Sequence, residues 1–221
     1  MLPKSLLFAL VAALPTVTMA AAVPELPQDA SEGGLKWTGK IFKTDTEPTV
    51  LHGEIGQVLE QILALNPDYV ASEVNPEPEE DAVAALSKRA EILTCATMAT
   101  GEGRDINAGA DHLLSVGGNC ETPAKSCRRM TCNHTTASYL CSEGNPISVK
   151  CNSLSRVVRR VRTDCCNGSP PGGGGSGRSG YIYNDRIWSV WVGYGNCNHA
   201  TNSRPSGYPY PGGSPNGLCY N

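Results

Sequence analysis

The stretch from Cys127 to Cys166, CRRMTCNHTTASYLCSEGNPISVKCNSLSRVVRRVRTDCC, decides the fold class. Its first half has two short β-compatible runs, Arg129-Met130-Thr131 and Ser138-Tyr139-Leu140. They flank Asn133-His134-Thr135, whose asparagine suits a tight turn, so a hairpin is expected. In the second half, Leu154, Val157, Val158, Val161 and Cys165 fall at i, i+3, i+4, i+7 and i+11, a single helical stripe. Asn152 or Ser153 is the expected N-cap, and the helix is expected to stop near Cys166-Asn167-Gly168. Cys165 completes the apolar stripe and should point inward, while Cys166 should reach a loop or the tail. Arg156, Arg159, Arg160 and Arg162 point away from the stripe and give the helix a cationic side.

The stretch holds six of ten cysteines, and all ten (Cys95, Cys120, Cys127, Cys132, Cys141, Cys151, Cys165, Cys166, Cys197 and Cys219) lie beyond residue 94. An even number concentrated in a small exported domain predicts disulfides, because the compartment is oxidising and a small core needs reinforcement. A zinc site is the competing reading. It lacks support: there is no C-x-x-C pair, and the histidines beyond residue 90 lack ligand spacing. Neither a metal nor a cofactor is expected. Connectivity is left open.

Export is suggested by residues 1–20. Lys4 supplies a positive start, Leu6 to Leu14 an apolar run, and Thr18-Met19-Ala20 a small-residue cleavage site, the pattern of a signal peptide. The apolar run is broken by Pro15 and is too short to span a bilayer, so no transmembrane segment is expected. Residues 21–89 form a cysteine-free acidic segment, expected to be a weakly ordered pro-segment with one short amphipathic helix through Glu54, Ile55, Val58, Leu59, Ile62 and Leu63. The chain is net −7 up to residue 89 and net +4 after it, and the change coincides with the dibasic pair Lys88-Arg89, which suits a kexin-type processing protease.

After Arg89 a strand is expected over Ile92–Thr97 and a helix over about Asp105–Val116, with Gly109 and Ala110 letting that helix sit close to a sheet. Residues 168–180, GSPPGGGGSGRSG, read as a flexible Gly-rich loop lacking the P-loop signature. Ile182–Tyr194 reads as one long strand, and 198–221 as an irregular Tyr/Pro/Gly-rich tail pinned by Cys219. The expected architecture for residues 90–197 is α+β: a βαββαβ two-layer sandwich of ferredoxin-like type, with both helices on one face of a four-stranded antiparallel sheet.

Two surfaces are candidates for recognition. The arginine side of the second helix suits phosphates, anionic lipid headgroups or acidic sugars; it lacks interleaved aromatics, so no nucleic-acid partner is expected. On the last strand, either Trp188 or Trp191 is expected to stand exposed as a sugar-stacking platform, unless the tail covers it. For catalysis, His112, His134 and His199 are the possible bases and Glu102, Asp111 and Asp185 the possible carboxylates, but they form no recognisable motif, and no catalytic residue is assigned. Asn133 and Asn167 open N-glycosylation sequons.

Cys95, the pair Cys127 and Cys132, Tyr139-Leu140-Cys141, the helix ending at Cys165, and Trp188-Ser189-Val190 leading to Cys197 together resemble small cysteine-rich secreted proteins of filamentous fungi. The topology expected for residues 90–197 is similar to that of the ferredoxin-like killer toxins of smut fungi and of killer-toxin-like effectors of plant pathogens. The resemblance implies a secreted effector or antimicrobial protein of virulence type that acts on host or competitor cells without catalysis; the sequons add a glycoprotein, and the arginine and tryptophan surfaces an anionic or glycan partner. A secreted carbohydrate-binding module is the alternative, and a small secreted hydrolase comes third.

Overall fold

A computed structural model describes residues 34–76, 91–165, 177–184, 187–205 and 208. The signal-peptide, Lys88-Arg89, Cys166, Asn167, Asp185 and Cys219 readings lie outside those residues.

The decisive stretch folds as its periodicities require. β6 (Cys127–Asn133) and β7 (Thr136–Ser142) form the hairpin, and α4 (Cys151–Asp164) follows β8 (Ile147–Lys150). Leu154, Val157, Val158 and Val161 are buried along one side of α4. The helix starts before the expected Asn152 or Ser153 cap. The Cys151 N–H is held by the Gly118 carbonyl at 3.1 Å, and its sulfur is bonded to Cys120, which draws the first turn back by a residue. The other expected helix is α3 (Gly103–Val116). Gly109 sits where an added Cβ would be 2.6 Å from Thr131 Oγ1, so the close helix–sheet approach does depend on that glycine.

Around this unit lie β1 (Leu35–Gly39), β2 (Thr49–Gly53), α1 (Ile55–Leu65), α2 (Ala71–Val74), β3 (Glu91–Cys95), β4 (Gly101–Glu102), β5 (Asn119–Thr122), β9 (Gly177–Arg178), β10 (Gly180–Asn184) and β11 (Trp188–Tyr194). A five-stranded sheet runs β3-β10-β11-β7-β6, a four-stranded sheet runs β2-β1-β5-β8, and β4 pairs with β9. Every pairing is antiparallel. α3 and α4 pack against one face of the five-stranded sheet and against each other.

Three expectations are corrected. First, the supposed single strand 182–194 is a hairpin. Asn184 pairs with Trp188 and accepts the Ile187 N–H at 2.9 Å, so the chain reverses there. The two resulting strands stand between β3 and β7, so β3 lies at the sheet edge and the ferredoxin-like four-stranded arrangement is not the one found. Mixed α+β architecture with antiparallel sheets remains. Second, the end of the Gly-rich 168–180 segment is paired backbone: Gly177 and Arg178 bond to β4, and Gly180 begins β10.

Third, residues 34–76, within the 21–89 segment expected to be weakly ordered, are packed into the core. Leu35, Trp37, Ile55, Val58 and Ile62 are fully buried, in the same core as Ala110, Leu113, Leu154 and Val190. Each such side chain contributes about 1.5–3 kcal/mol through burial. β1 is an interior strand paired on both sides, so it also satisfies backbone groups of β5 that would otherwise face water.

Among the described residues four disulfides fasten the cysteine-rich part: Cys95–Cys165, Cys120–Cys151, Cys127–Cys141 and Cys132–Cys197. Cys165 points inward, as its place in the stripe requires. Among the described residues no cysteine is free, and no helix is long and apolar enough to cross a membrane.

Candidate functional site

The arginine side of α4 is largely committed within the molecule. Arg159 pairs with Asp111 on α3, and Arg160 with Asp164 one turn along α4 at 3.2 Å. Arg162 Nε donates to the Gly103 carbonyl at 3.1 Å, at the start of α3. Arg156 is the exposed member of the four. α3 and α4 lie side by side, and two of the four arginines, Arg159 and Arg162, reach across to α3. Arg159 and Arg160 remain about 40% exposed in their pairs, so the cationic side is partly neutralised by its neighbours.

Neither tryptophan is an open platform, which corrects the sugar-stacking expectation for Trp188 and Trp191. Odd spacing puts them on opposite faces of β11. Trp188 enters the helix-side core, 7% exposed, and Trp191 lies on the other face, 2% exposed. There a row of cross-strand neighbours runs Tyr181, Trp191, Tyr139, Arg129. The Tyr181 ring stacks on Trp191 at 4.7 Å between centroids. The chain after Cys197 folds back over this row: the Arg129 N–H donates to the Thr201 carbonyl at 2.8 Å, and the Tyr208 ring meets Trp191 edge-on at 5.8 Å. Trp191 Nε1 donates to Ser189 Oγ at 2.9 Å, which donates in turn to Glu143 at 2.7 Å. The indole is thus satisfied and covered.

The three candidate histidines are scattered. His112 lies partly buried on α3 beside Gly56 of α1. His199 is exposed, its Nε2 3.2 Å from Asn196 Nδ2. Only His134 meets a carboxylate, and the partner is Asp105, which the sequence pattern did not single out. His134 Nδ1 is 3.2 Å from Asp105 Oδ2; the imidazole side chain is 75% exposed and the carboxyl side chain only 6%. Of the carboxylates expected to matter, Asp111 is taken by Arg159, and Glu102 is exposed, its N–H donating to Thr136 Oγ1 at 2.8 Å.

Two elements build this pair. Asp105 occupies the first turn of α3, where a negative side chain is favoured by the helix dipole. His134 is the first of two residues turning the β6–β7 hairpin, and its φ is +52°. That region costs a non-glycine residue roughly 1–2 kcal/mol, and hairpin turns normally fill it with Asn or Gly. The hydrogen bond to Asp105 holds the ring there. Asn133, the sequon residue, ends β6 with Nδ2 donated to the Asp105 carbonyl at 3.2 Å.

Arginines gather at the same end of α3. Arg104 is 86% exposed, with Nε 3.7 Å from Asp105 Oδ1. Arg162 reaches the Gly103 carbonyl, and Arg178 Nε donates to the Arg162 carbonyl at 3.2 Å. The imidazole of His134 and the guanidinium of Arg104 thus meet the same carboxylate, His134 at Oδ2 and Arg104 at Oδ1. An oriented imidazole beside a guanidinium at a helix start is suited to holding an oxyanion. Among the described residues no group of three or more His, Cys, Asp or Glu is placed to hold a metal ion. Neither a family model, a curated protein nor a solved structure matches this chain.

Proposed function

We propose that the chain is an exported binding protein of the effector or antimicrobial kind, which grips an anionic group on a host or competitor cell. The contact is the end of α3 where His134, Asp105 and Arg104 meet. The observation that carries this reading is the exposed imidazole of His134, tied at Nδ1 to the buried carboxylate of Asp105, which the exposed guanidinium of Arg104 also approaches. Four disulfides support work in an oxidising, extracellular setting. Signal removal, kexin-type cutting at Lys88-Arg89, glycosylation and a fungal, killer-toxin-like origin belong to the same proposal. The likeness to killer toxins rests on cysteine-rich α+β organisation and not on strand order.

The ligand class is phosphate, sulfate or carboxylate groups carried on a glycan or lipid headgroup. The sugar-platform alternative loses its support with both tryptophans buried. The test is calorimetric titration with a sulfated oligosaccharide and, separately, with inorganic phosphate. His134→Gln with Arg104→Gln should weaken binding about tenfold or more, since each lost charge-assisted hydrogen bond is worth roughly 1.5–3 kcal/mol. Replacing Arg156 with Gln should change affinity far less. Equal binding by the double variant and the parent, or loss only with Arg156, refutes the assignment.

A further inference from the structure

All ten cysteines lie beyond residue 94, so no disulfide can fasten residues 34–76 to the rest of the chain. Yet that segment is built into the fold at four separate places. β1 fills the slot between β2 and β5, with Trp37 opposite Cys120 and Lys36 ion-paired to Glu121 at 2.8 Å. Trp37 is fully buried, donates through Nε1 to the Gly117 carbonyl at 2.9 Å, and lies so close to Gly118 that an added Cβ there would stand 2.9 Å from Nε1. Tyr69 Oη donates to the Val116 carbonyl at 2.5 Å, closing the end of α3. Glu54, at the start of α1, pairs with the buried Arg129 of β6 at 2.5 Å.

These contacts are complementary from both sides. Without residues 34–76, β5 becomes an open sheet edge, the Val116 and Gly117 carbonyls lose these donors, and Arg129 keeps a charge without its carboxylate. The exposed apolar surface would include the neighbours of Leu35, Trp37, Leu51, Ile55, Val58 and Ile62, all buried in the shared core.

We infer that residues 34–76 are a resident, non-covalent subunit: cutting the chain between residues 77 and 90 converts the protein into a two-piece molecule that stays assembled. Hydrolysis of the Arg89–Ala90 amide would consume one water and leave a carboxylate on Arg89 and an amine on Ala90. No other bond changes. Before the cut the segment is covalently attached; afterwards the strand pairing, Trp37, Tyr69 and the Glu54–Arg129 pair hold it. The inference does not depend on what the protein binds or on its export.

The experiment uses the purified, oxidised full chain, cut under native conditions with a dibasic-specific protease. If the bond resists, a recognition sequence for a site-specific protease inserted after Glu80 provides the cut. Native mass spectrometry and gel filtration then read the product. The expected result is one species whose mass is the uncut mass plus one water. A denaturing gel without reductant should resolve it into two bands. A front piece that elutes alone in native buffer, leaving a folded remainder, overturns the inference. No ligand enters the assay, so its failure is distinct from a failure of the oxyanion-binding reading.

Discussion

Arg129→Met isolates the interaction that joins three distant parts of the chain. The Arg129 side chain is 2% exposed; Nε and Nη2 reach Glu54 at 2.7 and 2.5 Å, while Nη1 and Nη2 donate to the Asn196 and Cys197 carbonyls at 2.8 and 3.1 Å. Burial pushes the Glu54 carboxyl above its usual range, against the opposing pull of Arg129 and of a hydrogen bond with the Cys132 backbone. Removing one partner of such a pair strands a buried charge, at a cost of about 3–5 kcal/mol. At roughly 2–4 °C per kcal/mol for a chain of this size, the melting temperature should fall by about 10 °C at neutral pH.

The pH dependence has a definite sign. An acid raised in the folded state contributes stability that is fully present below its unfolded value of 4.5 and is lost as pH rises through its folded value. Without Arg129 the main lowering influence disappears and the carboxyl moves further up. The penalty of Arg129→Met should therefore be largest near pH 7 and should shrink on acidification, by up to about 1.4 kcal/mol per pH unit while Glu54 takes up its proton. Pairing it with Glu54→Leu should restore about 1–3 kcal/mol of the loss, leaving about 1 kcal/mol for each of the two carbonyls deprived of its donor. Denaturant melts of parent, single and double variants between pH 4.5 and 7.5 give the cycle. A single-variant cost under about 1 kcal/mol at pH 7, or one that grows as pH falls, refutes the reasoning.

Gly109→Ala would place a methyl 2.6 Å from Thr131 Oγ1, itself hydrogen-bonded to Ser138 Oγ at 2.7 Å, and should destabilise by about 1–3 kcal/mol in thermal melts, whereas Gly144→Ala, with nothing within 4 Å, should be silent. Replacing both cysteines of Cys95–Cys165, 70 residues apart, should cost about 1.4 kcal/mol more than doing so for Cys127–Cys141, 14 apart; the reverse order in denaturant melts would show that chain entropy does not govern these bridges. Trp191→Ala should lower stability by about 3–5 kcal/mol, since the ring fills a covered site; a fully stable variant would show that the chain around Tyr208 does not seat on it.

The helices and the Cys127–Cys141 hairpin were legible because their signals are local. A stripe at helical spacing ending in Cys165 has one good solution, and Gly109 marks where a helix must come close to a sheet. Pairing between remote strands is not local, so nothing in the cysteine-rich part announced that β1 would enter beside β5. The alternation Leu35, Trp37, Gly39 was present, but the acidic, cysteine-free composition of 21–89 as a whole concealed it, and charge counting says nothing about which residues face a core. Asn184-Asp185 is a turn signal; the apolar alternation on either side continued through it and masked the reversal. Asp105 was overlooked because a carboxylate in the first turn of a helix has an ordinary role there. Only the hairpin tip, brought from 29 residues away, makes it the partner of His134.

The claim underlying the fold, the resident subunit and the Arg129 prediction is that residues 34–76 and the disulfide-bonded part unfold as one. Native-state hydrogen exchange on the uncut, oxidised chain measures this directly. The protected amides of β1 should open with the same free energy, and the same denaturant dependence, as those of β7 and β11. Exchange of the β1 amides that is orders of magnitude faster, with β7 and β11 still protected, would contradict the account.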